Sequence, residues 1–406
     1  MTPLDVLSLR QLRAFESAAR LESVSAAARE VNLSQPGLTQ SIHALESRLA
    51  IRLFDRRRSG CYVTGLGAVL LPRVRRFFDH IGAALSDPVV GSPFVGRRDA
   101  AAAVNKLTGA QMRGLIAIAE SPSIDAAARR LAVAQPSLQR TARDLERGLK
   151  RSLYQRTARG VTTNAQGAEL ARRFRVALQE IKYGLEEIHA TQGSVVSRIA
   201  IGNIPHSGER ILSAAASALL AAYPTAQVQV VDGHYDALLA DLRAGKLDLL
   251  FGVLRRPAWA VDVSEELLFA NPYVVVAGAH HPLRRAKRMT LRDLAGYEWI
   301  MPEPGAPRRQ AFARMFADLT AQPRVAIETT SLAIYRSVLA SSDRLTLMSR
   351  LAAQSTESGG LAVLPFRSPH LARHDGVASR TDWHPTPVHL RFIELLRAEA
   401  ARLPPA

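Results

Sequence analysis

Apolar residues at Leu9, Leu12, Phe15, Ala18 and Ala19 recur at the spacing of one helix face. A polar break follows, and Ser25 is placed to cap a short helix over Ala26 to Val31. Asn32, Leu33 and Ser34 then spell a tight turn. Ser34 is a natural N-cap for the next helix, and Pro36 falls in its first turn, where a missing N–H costs nothing. That helix runs to about Leu49, with Ile42, Leu45 and Leu49 inward and Thr39, Gln40 and His43 pointing away. Two short helices about a tight turn predict a helix-turn-helix whose second member fits a major groove. Leu53–Phe54, an arginine-rich turn (Arg56, Arg57, Arg58, Ser59, Gly60) and Val63–Thr64 predict a small β-wing with a phosphate-seeking tip. A long helix is predicted over about Leu66 to Leu85, with Val69, Leu70, Val74, Phe77, Phe78, Ile81 and Leu85 on one side.

The pattern then repeats. "AAAREVNLSQPGLTQSIHALE" (Ala26–Glu46) returns as "AAARRLAVAQPSLQRTARDLE" (Ala126–Glu146), 100 residues on. From Leu12/Met112 to Leu70/Leu170 no gap is needed, and about 19 of 59 aligned pairs are identical. Self-similarity at a fixed period marks duplicated structural units, and two copies are too few for a solenoid. The second copy differs where it matters. Its turn reads Ala132–Val133–Ala134, so the capping hydroxyl is gone, a loss of about 1 kcal/mol. Its exposed face gains Gln139, Arg140 and Arg143, and arginine is the commonest side chain for gripping guanine or phosphate. A second long helix is predicted over about Ala165 to Ala190, lined by Leu170, Phe174, Ala177, Leu178, Ile181, Leu185 and Ile188. Residues 86–106, Pro/Gly-rich at first, read as a tether.

From Arg198 the periodicity changes to short β-rich runs separated by helices: Ile199–Ile204, a helix over Glu209–Tyr223, the alternating "AQVQVVDG", a helix over Tyr235–Ala244 and the buried run "LDLLFGV". Such alternation predicts a parallel sheet, with a ligand where strands end and helices begin. Asn203, Pro205, His206 and Ser207 lie at one such place, ahead of a helix N-terminus that favours an anion. Glu303, Pro304 and Gly305 follow a strand over Glu298–Met301, and Thr330 and Ser331 follow one over Val325–Thr329. Hydroxyl-lined helix starts suit a carboxylate or a sugar.

Charge sharpens this division. The chain carries a net charge of +17, and residues 1–197 hold 29 Lys/Arg against 17 Asp/Glu. A basic N-terminal half suits nucleic acid, whose counterions are released as phosphates are neutralised. Cys61 is the single cysteine, which fits a reducing compartment. Neither a secretory signal nor a membrane-length apolar run is expected. "AGKLDLLFG" lacks the glycine and hydroxyl spacing of a phosphate-binding loop, and "GLGAVL" lacks a third glycine. There is no Gly-x-Ser-x-Gly, and His280–His281 have no partner spaced for a metal. Trp259, Trp299 and Trp383 read as packing anchors. No catalytic residue, cofactor or metal is expected.

With those residues in view, "LRQLRAFESAARLESVSAAAREVNLSQPGLTQSIHALESRLAIRLFDRRRSGCYVTGLGAVLL" resembles the winged helix-turn-helix of LysR-type transcriptional regulators. Ala-Ala before the turn, Ser-Gln-Pro, Leu-Glu, Leu-Phe and Arg stand in the family's order. Val63–Thr64–Gly65–Leu66–Gly67 departs mildly from its usual Leu-Thr-x-Ala-Gly. The stretch "IAIGNIPHSGERILSAAASALLAAYPTAQVQVVDGHYDALLADLRAGKLDLLFG" resembles the first lobe of the family's effector domain. "WIMPEPGAPRRQAFARMF" and "ETTSLAIYRSVLASSDRLTLMS" are most similar to the subgroup containing the galactose-binding-protein regulator.

The resemblance implies a multidomain chain. Two helix-rich winged helix-turn-helix domains with linker helices (1–85 and 107–190, joined by the tether) precede a two-lobed α/β effector domain over 198–400, like type 2 periplasmic binding proteins. It implies a cytoplasmic, DNA-binding transcriptional regulator acting on double-stranded operator DNA, assembled as a dimer or tetramer, with RNA polymerase admitted as a further partner. Expected DNA contacts are Ser34, Gln35, Pro36, Thr39, Gln40, His43, Arg56 and Arg58 in the first copy. In the second they are Gln135, Ser137, Gln139, Arg140, Arg143 and Arg156. Expected effector contacts are Asn203, Pro205, His206, Ser207, Glu303, Pro304, Gly305, Thr330 and Ser331, for a sugar or an organic or aromatic acid. The alternative is a small-molecule sensor or interaction scaffold with partly degenerate DNA-binding domains. The family's linker helices pair antiparallel between subunits. Here two copies in one chain could instead pair with each other, and the sequence leaves both arrangements open.

Overall fold

The computed structural model describes residues 8–57, 60–87, 103–158, 160–193, 197–255, 260–286, 288–355 and 360–403, with the side chains of Arg56 and Arg57 also outside that set. Trp259, Arg58 and most of the tether therefore lie outside the described residues. The chain divides into two units, Met1–Val196 and Ser197–Ala406.

The first unit opens with α1 (Leu9–Leu21), started by a capping box in which Ser8 and Gln11 satisfy each other's amides. Then come α2 (Val24–Glu30), α3 (Gln35–Leu49), the hairpin β1 (Phe54–Arg57) and β2 (Gly60–Val63), and the long α4 (Gly65–Ser86). The same order follows as α5 (Gly109–Ala119), α6 (Ile124–Arg130), α7 (Gln135–Leu149), β3 (Tyr154–Thr157), β4 (Gly160–Thr163) and α8 (Ala165–Thr191). Its first helix also carries a capping box, built from Thr108 and Gln111. One detail corrects the sequence reading: α2 begins two residues early because Ser23, not Ser25, caps it, accepting the Ala26 N–H at 3.3 Å.

The two long helices pack on each other. Leu70 lies against Gly184, Arg73 bonds Glu180 and Glu187, and Arg173 bonds Asp87. Partner numbers fall as residue numbers rise, so the helices run antiparallel. Leu70, Val74, Phe77, Ile81, Leu170, Phe174, Ala177 and Ile181 are fully buried and belong to one shared core. The apolar stripes legible in the sequence therefore cover one another inside a single chain.

In the second unit β5 (Arg198–Asn203), α9 (Glu209–Ala222), β6 (Gln227–Asp232), α10 (Tyr235–Arg243) and β7 (Leu249–Val253) build a first lobe. After β8 (Val263–Ala270) the chain crosses into a second lobe: β9 (Tyr273–Gly278), α11 (Leu291–Ala295), β10 (Trp299–Met301), α12 (Pro307–Phe316), β11 (Val325–Glu328), α13 (Leu332–Ala340), β12 (Thr346–Ser349), α14 (Arg350–Gln354) and β13 (Leu361–Val363). It returns through β14 (His374–Arg380) and ends in α15 (Pro387–Ala401). The first sheet has the order β6-β5-β7-β14-β8. β5 is parallel to β6 and β7, as the alternation predicts, but β14 is antiparallel to both neighbours. A strand that re-enters from the other lobe arrives from the opposite end, which turns a purely parallel expectation into a mixed sheet. Trp299 is buried against Phe312 and Phe316 as a packing anchor.

Candidate DNA interface and effector cleft

Helix α3 is held by its own ends. Ser34 Oγ accepts the Gly37 N–H at 3.2 Å, and Pro36 occupies the first turn. Leu38, Ile42 and Leu45 are buried, so the opposite face is left to solvent. Ser34, Gln35, Pro36, Gln40 and His43 are exposed there, and Thr39 is half-buried. His43 Nδ1 stands 3.5 Å from Glu46. Glu46 in turn accepts the N–H groups of Leu53 and Phe54 at 2.7 and 3.2 Å, which fastens the hairpin to the helix. Arg56 lies in the wing strand by its backbone; Arg58 falls outside the described residues.

Helix α7 repeats the geometry without the cap. Ala134 makes no side-chain cap bond, as expected from its lost hydroxyl. Ala132 also holds the left-handed conformation at φ 53, where Asn32 stands in the first copy. An alanine pays a steric cost there that asparagine reduces. Ser137, Arg140, Arg143 and Arg156 are exposed, while Gln135 and Gln139 are half-buried. Glu146 ties the second hairpin, accepting Leu153 and Tyr154 N–H at 2.7 and 3.1 Å. Gly67 and Gly167 sit where a Cβ would come within 2.4 Å of the Leu53 carbonyl oxygen and 2.1 Å of that of Leu153. That contact accounts for glycine at both positions. Glu46 and Glu146 thus tie each hairpin to the helix before it, and Gly67 and Gly167 let the following long helix pass close to the hairpin's start.

The second unit holds a cavity of about 470 Å³ between its two lobes. Of the residues expected at an effector, Pro205, His206, Glu303, Pro304, Gly305 and Thr330 line it. Asn203, Ser207 and Ser331 do not. Asn203 is buried and donates to Asp232 at 2.7 Å. Ser207 is buried behind the wall and accepts from Arg373 at 2.5 Å. Ser331 caps α13, accepting the Ile334 N–H. The start of α9 also differs from expectation. Gly208 is its N-cap, and the Glu209 carboxylate accepts the His206 and Gly208 amides at 2.5 and 3.3 Å. Two of the amides ahead of the helix N-terminus are therefore already occupied by the chain's own carboxylate.

Sequence reasoning missed the cations. Arg308 and Arg373 line the cavity and are buried. Arg373 is neutralised by Asp375 at 2.7 Å. Arg308 donates to the Leu347 carbonyl at 3.0 Å and to the Tyr335 hydroxyl at 2.8 Å, with no carboxylate partner among the described residues. Burial lowers its affinity for its own proton. Glu303 on the same cavity opposes that shift by its charge without forming an ion pair, and a buried cation so weakly compensated is costly. Arg255, stacked on Tyr235 with 4.6 Å from guanidinium to ring centroid, lies at the same cavity beside Tyr273. The only local signal for Arg308 was its place three residues beyond Gly305.

Two histidines bridge the lobes. His206 Nε2 lies 3.1 Å from the Thr330 carbonyl oxygen, and His234 Nδ1 lies 2.8 Å from Glu303. His206 holds φ 65, and Ser349 donates to its carbonyl oxygen at 2.7 Å. Burial, and then the charge of Arg308, push its pKa below the ordinary histidine value. No helix among the described residues is long and apolar enough to cross a membrane.

Comparison with known proteins agrees with this geometry. The model for the bacterial regulatory helix-turn-helix protein, lysR family, matches residues 9–68 and again 110–168. The LysR substrate binding domain matches residues 192–401. The HTH-type transcriptional regulator GalR of Pseudomonas putida is 30% identical over 405 residues, covering 98% of each chain. The HTH-type transcriptional regulator PcaQ of Agrobacterium fabrum is 27% identical over 296 residues, 72% of this chain and 94% of that protein. Among solved structures, a full-length OxyR variant from Pseudomonas aeruginosa shares the fold with a TM-score of 0.54 at 20% identity, covering 72% of this chain and 94% of that one.

Proposed function

This chain belongs to the LysR family of bacterial transcriptional regulators, and from that premise we infer that it grips DNA with two tandem winged helix-turn-helix copies of unlike preference and answers to an organic anion. It is a DNA-binding regulator that responds to a small-molecule effector; the family is not enzymatic. The observation that carries the tandem reading is the exposure of Gln40 and His43 on α3 and of Arg140 and Arg143 at the equivalent turns of α7. The second family match, 101 residues after the first, supports it, as does a relative of nearly full length. The PcaQ match falls short of this chain by about one copy. Thr39, Gln40 and Ser34–Pro36 approach bases and nearby phosphates. Gln135, Ser137, Gln139, Arg140 and Arg143 do so in the second copy, and Arg56, Arg58 and Arg156 grip phosphate from the wings.

The effector reading rests on Arg308, the buried cation facing the cavity. Of the sugar and the organic acid that suited the helix starts, the carboxylate is favoured, with Tyr235 and Tyr273 supplying ring contacts for an aromatic one. Binding then draws the lobes together across the His206–Thr330 contact, and only a ligand that prefers the closed form shifts the equilibrium. The protein works in the cytoplasm as a homo-oligomer, with RNA polymerase as a further partner. Titrating the full chain with aromatic carboxylates, aliphatic carboxylates and neutral sugars, followed by calorimetry, tests the effector class. Carboxylates should bind; binding by sugars alone would refute it.

A further inference from the structure

The seam between α4 and α8 is chemically unlike on its two sides. Offsetting by 100 residues makes Arg73 equivalent to Arg173, Arg76 to Val176, His80 to Glu180 and Asp87 to Glu187. One ion pair obeys the pseudo-symmetry: Arg73 with Glu187 at 3.0 Å, and Arg173 with Asp87 at 2.6 Å. The rest does not. Glu180, 3% exposed, accepts from Arg73 at 3.0 Å and from Arg76 at 2.8 Å. Its counterpart in the first copy is a histidine. Tyr183, fully buried beneath Arg73 with 5.5 Å from guanidinium to ring centroid, has Ala83 as its counterpart. Arg151 donates to the Leu85 carbonyl at 2.6 Å, and Ile51 has no such donor to offer.

We propose that these differences select the unlike pairing, so that α4 binds α8 of its own chain in preference to a second α4, and α8 likewise rejects a second α8. Charge at each end of the seam decides it. In the unlike pair, Arg73 and Arg76 meet Glu180 and Glu187, and Arg173 with Arg172 meet Asp87 and Glu169. Both ends balance. In an α4–α4 pair, Arg73 and Arg76 at each end meet Asp87 and His80, two arginines against one carboxylate, with Arg76 only partly exposed to water. In an α8–α8 pair, Arg172 and Arg173 at each end face Glu169, Glu180 and Glu187, leaving a carboxylate unpaired. Unpaired buried charge is the strong form of discrimination against a wrong partner. Covalent linkage adds effective concentration in the same direction. The residues that choose the partner are Arg73, Arg76, Glu180 and Glu187. Taken with the tandem reading above, on which this consequence rests, the seam delivers two unlike recognition helices as one unit, matched to an operator without a palindrome.

The pairs 73–187 and 87–173 put the midpoint of the seam at positions 80 and 180, so cysteines beside it lie close together in every antiparallel pairing. The test uses the full chain with Cys61→Ser, His80→Cys and Gln179→Cys, prepared from light- and heavy-isotope cultures, mixed and joined by a short bismaleimide. Mass spectrometry separates four links. An 80–179 link within one isotope is the pairing proposed. A mixed-isotope 80–179 link is an exchange of helices between chains. Links 80–80 and 179–179 are like pairs. The proposal predicts at least tenfold more same-isotope 80–179 than all others together. Glu180→Arg should lower that ratio at least tenfold, Glu180→Gln should lower it less, and the full charge swap R73E/R76E/E180R/E187R should restore it. Predominance of like or mixed links in the parent, or a ratio indifferent to both Glu180 variants, overturns it. The links report pairing whether or not α7 touches DNA, so a failure here is distinct from a failure of the tandem reading, which footprinting reports.

Discussion

Glu46 and Leu53 are joined across the helix-turn-helix: the carboxylate on α3 accepts the Leu53 amide N–H at 2.7 Å, and Glu146 repeats the bond with Leu153 at 2.7 Å. An ionised acceptor on two successive amides is the strong kind of hydrogen bond. Glu46→Ala should cost about 2 kcal/mol of unfolding free energy by removing it. It should also free the wing, weakening DNA binding while the α3 bases contacted stay the same. Urea unfolding and a binding isotherm check the two parts.

On α3, Gln40 is exposed six residues beyond the Ser34 cap. Gln40→Ala should relax sequence preference by about 1–3 kcal/mol of discrimination at one base pair. Arg56→Ala should weaken all DNA alike and flatten the salt dependence by about one counterion. A panel of single-base operator variants, titrated at several salt concentrations, separates these effects.

The second copy carries two local faults, Ala132 at φ 53 and the uncapped Ala134. Ala134→Ser should raise stability by about 1 kcal/mol by restoring the hydroxyl. Ala132→Asn should add a smaller gain. Thermal unfolding of the full chain, read at the first transition to shift, decides it.

Arg308→Gln should weaken carboxylate binding at least tenfold, about 1.4 kcal/mol. The apo protein should be no less stable, because a buried unpaired cation has been removed. Calorimetric titration and an unfolding curve give both numbers, and a large loss of apo stability with unchanged affinity would place Arg308 in the fold rather than the site.

His206 gives folding stability a pH dependence. Its pKa is lowered in the folded protein by burial, then by Arg308, so the native state binds fewer protons than the unfolded chain. The stabilisation is complete above the ordinary value of 6.5 and is lost as pH falls through it toward the depressed one. His281 is lowered in the same sense by burial. His206→Asn keeps a residue suited to φ 65 and removes one titration, so the difference between the two stability curves between pH 5 and about 7 isolates His206.

Much of the first unit was legible because it is local. Ser34, Pro36, the apolar stripe through Leu70 and Phe77, and the missing hydroxyl at Ala134 all act within a few residues. Ser23 displaced Ser25 as a cap because two hydroxyls two residues apart satisfy the same local rule. The cleft was legible only as a position. Pro205, His206 and Glu303 lie at strand ends, where topology places ligands. Arg308 and Arg373 escaped because burial of an arginine is decided by distant chain; Arg373 meets Ser207 across 166 positions of sequence. Arg73 and Glu180, 107 positions apart, were hidden for the same reason.

Two unlike DNA readers in one chain are tested by a footprint of the full chain on its own upstream DNA, beside the double variant Arg140→Ala/Arg143→Ala. The parent should protect two unlike half-sites, one of which disappears in the variant while the other persists. An unchanged footprint, or two identical half-sites, would contradict that reading and leave α3 paired across subunits as the sole DNA reader.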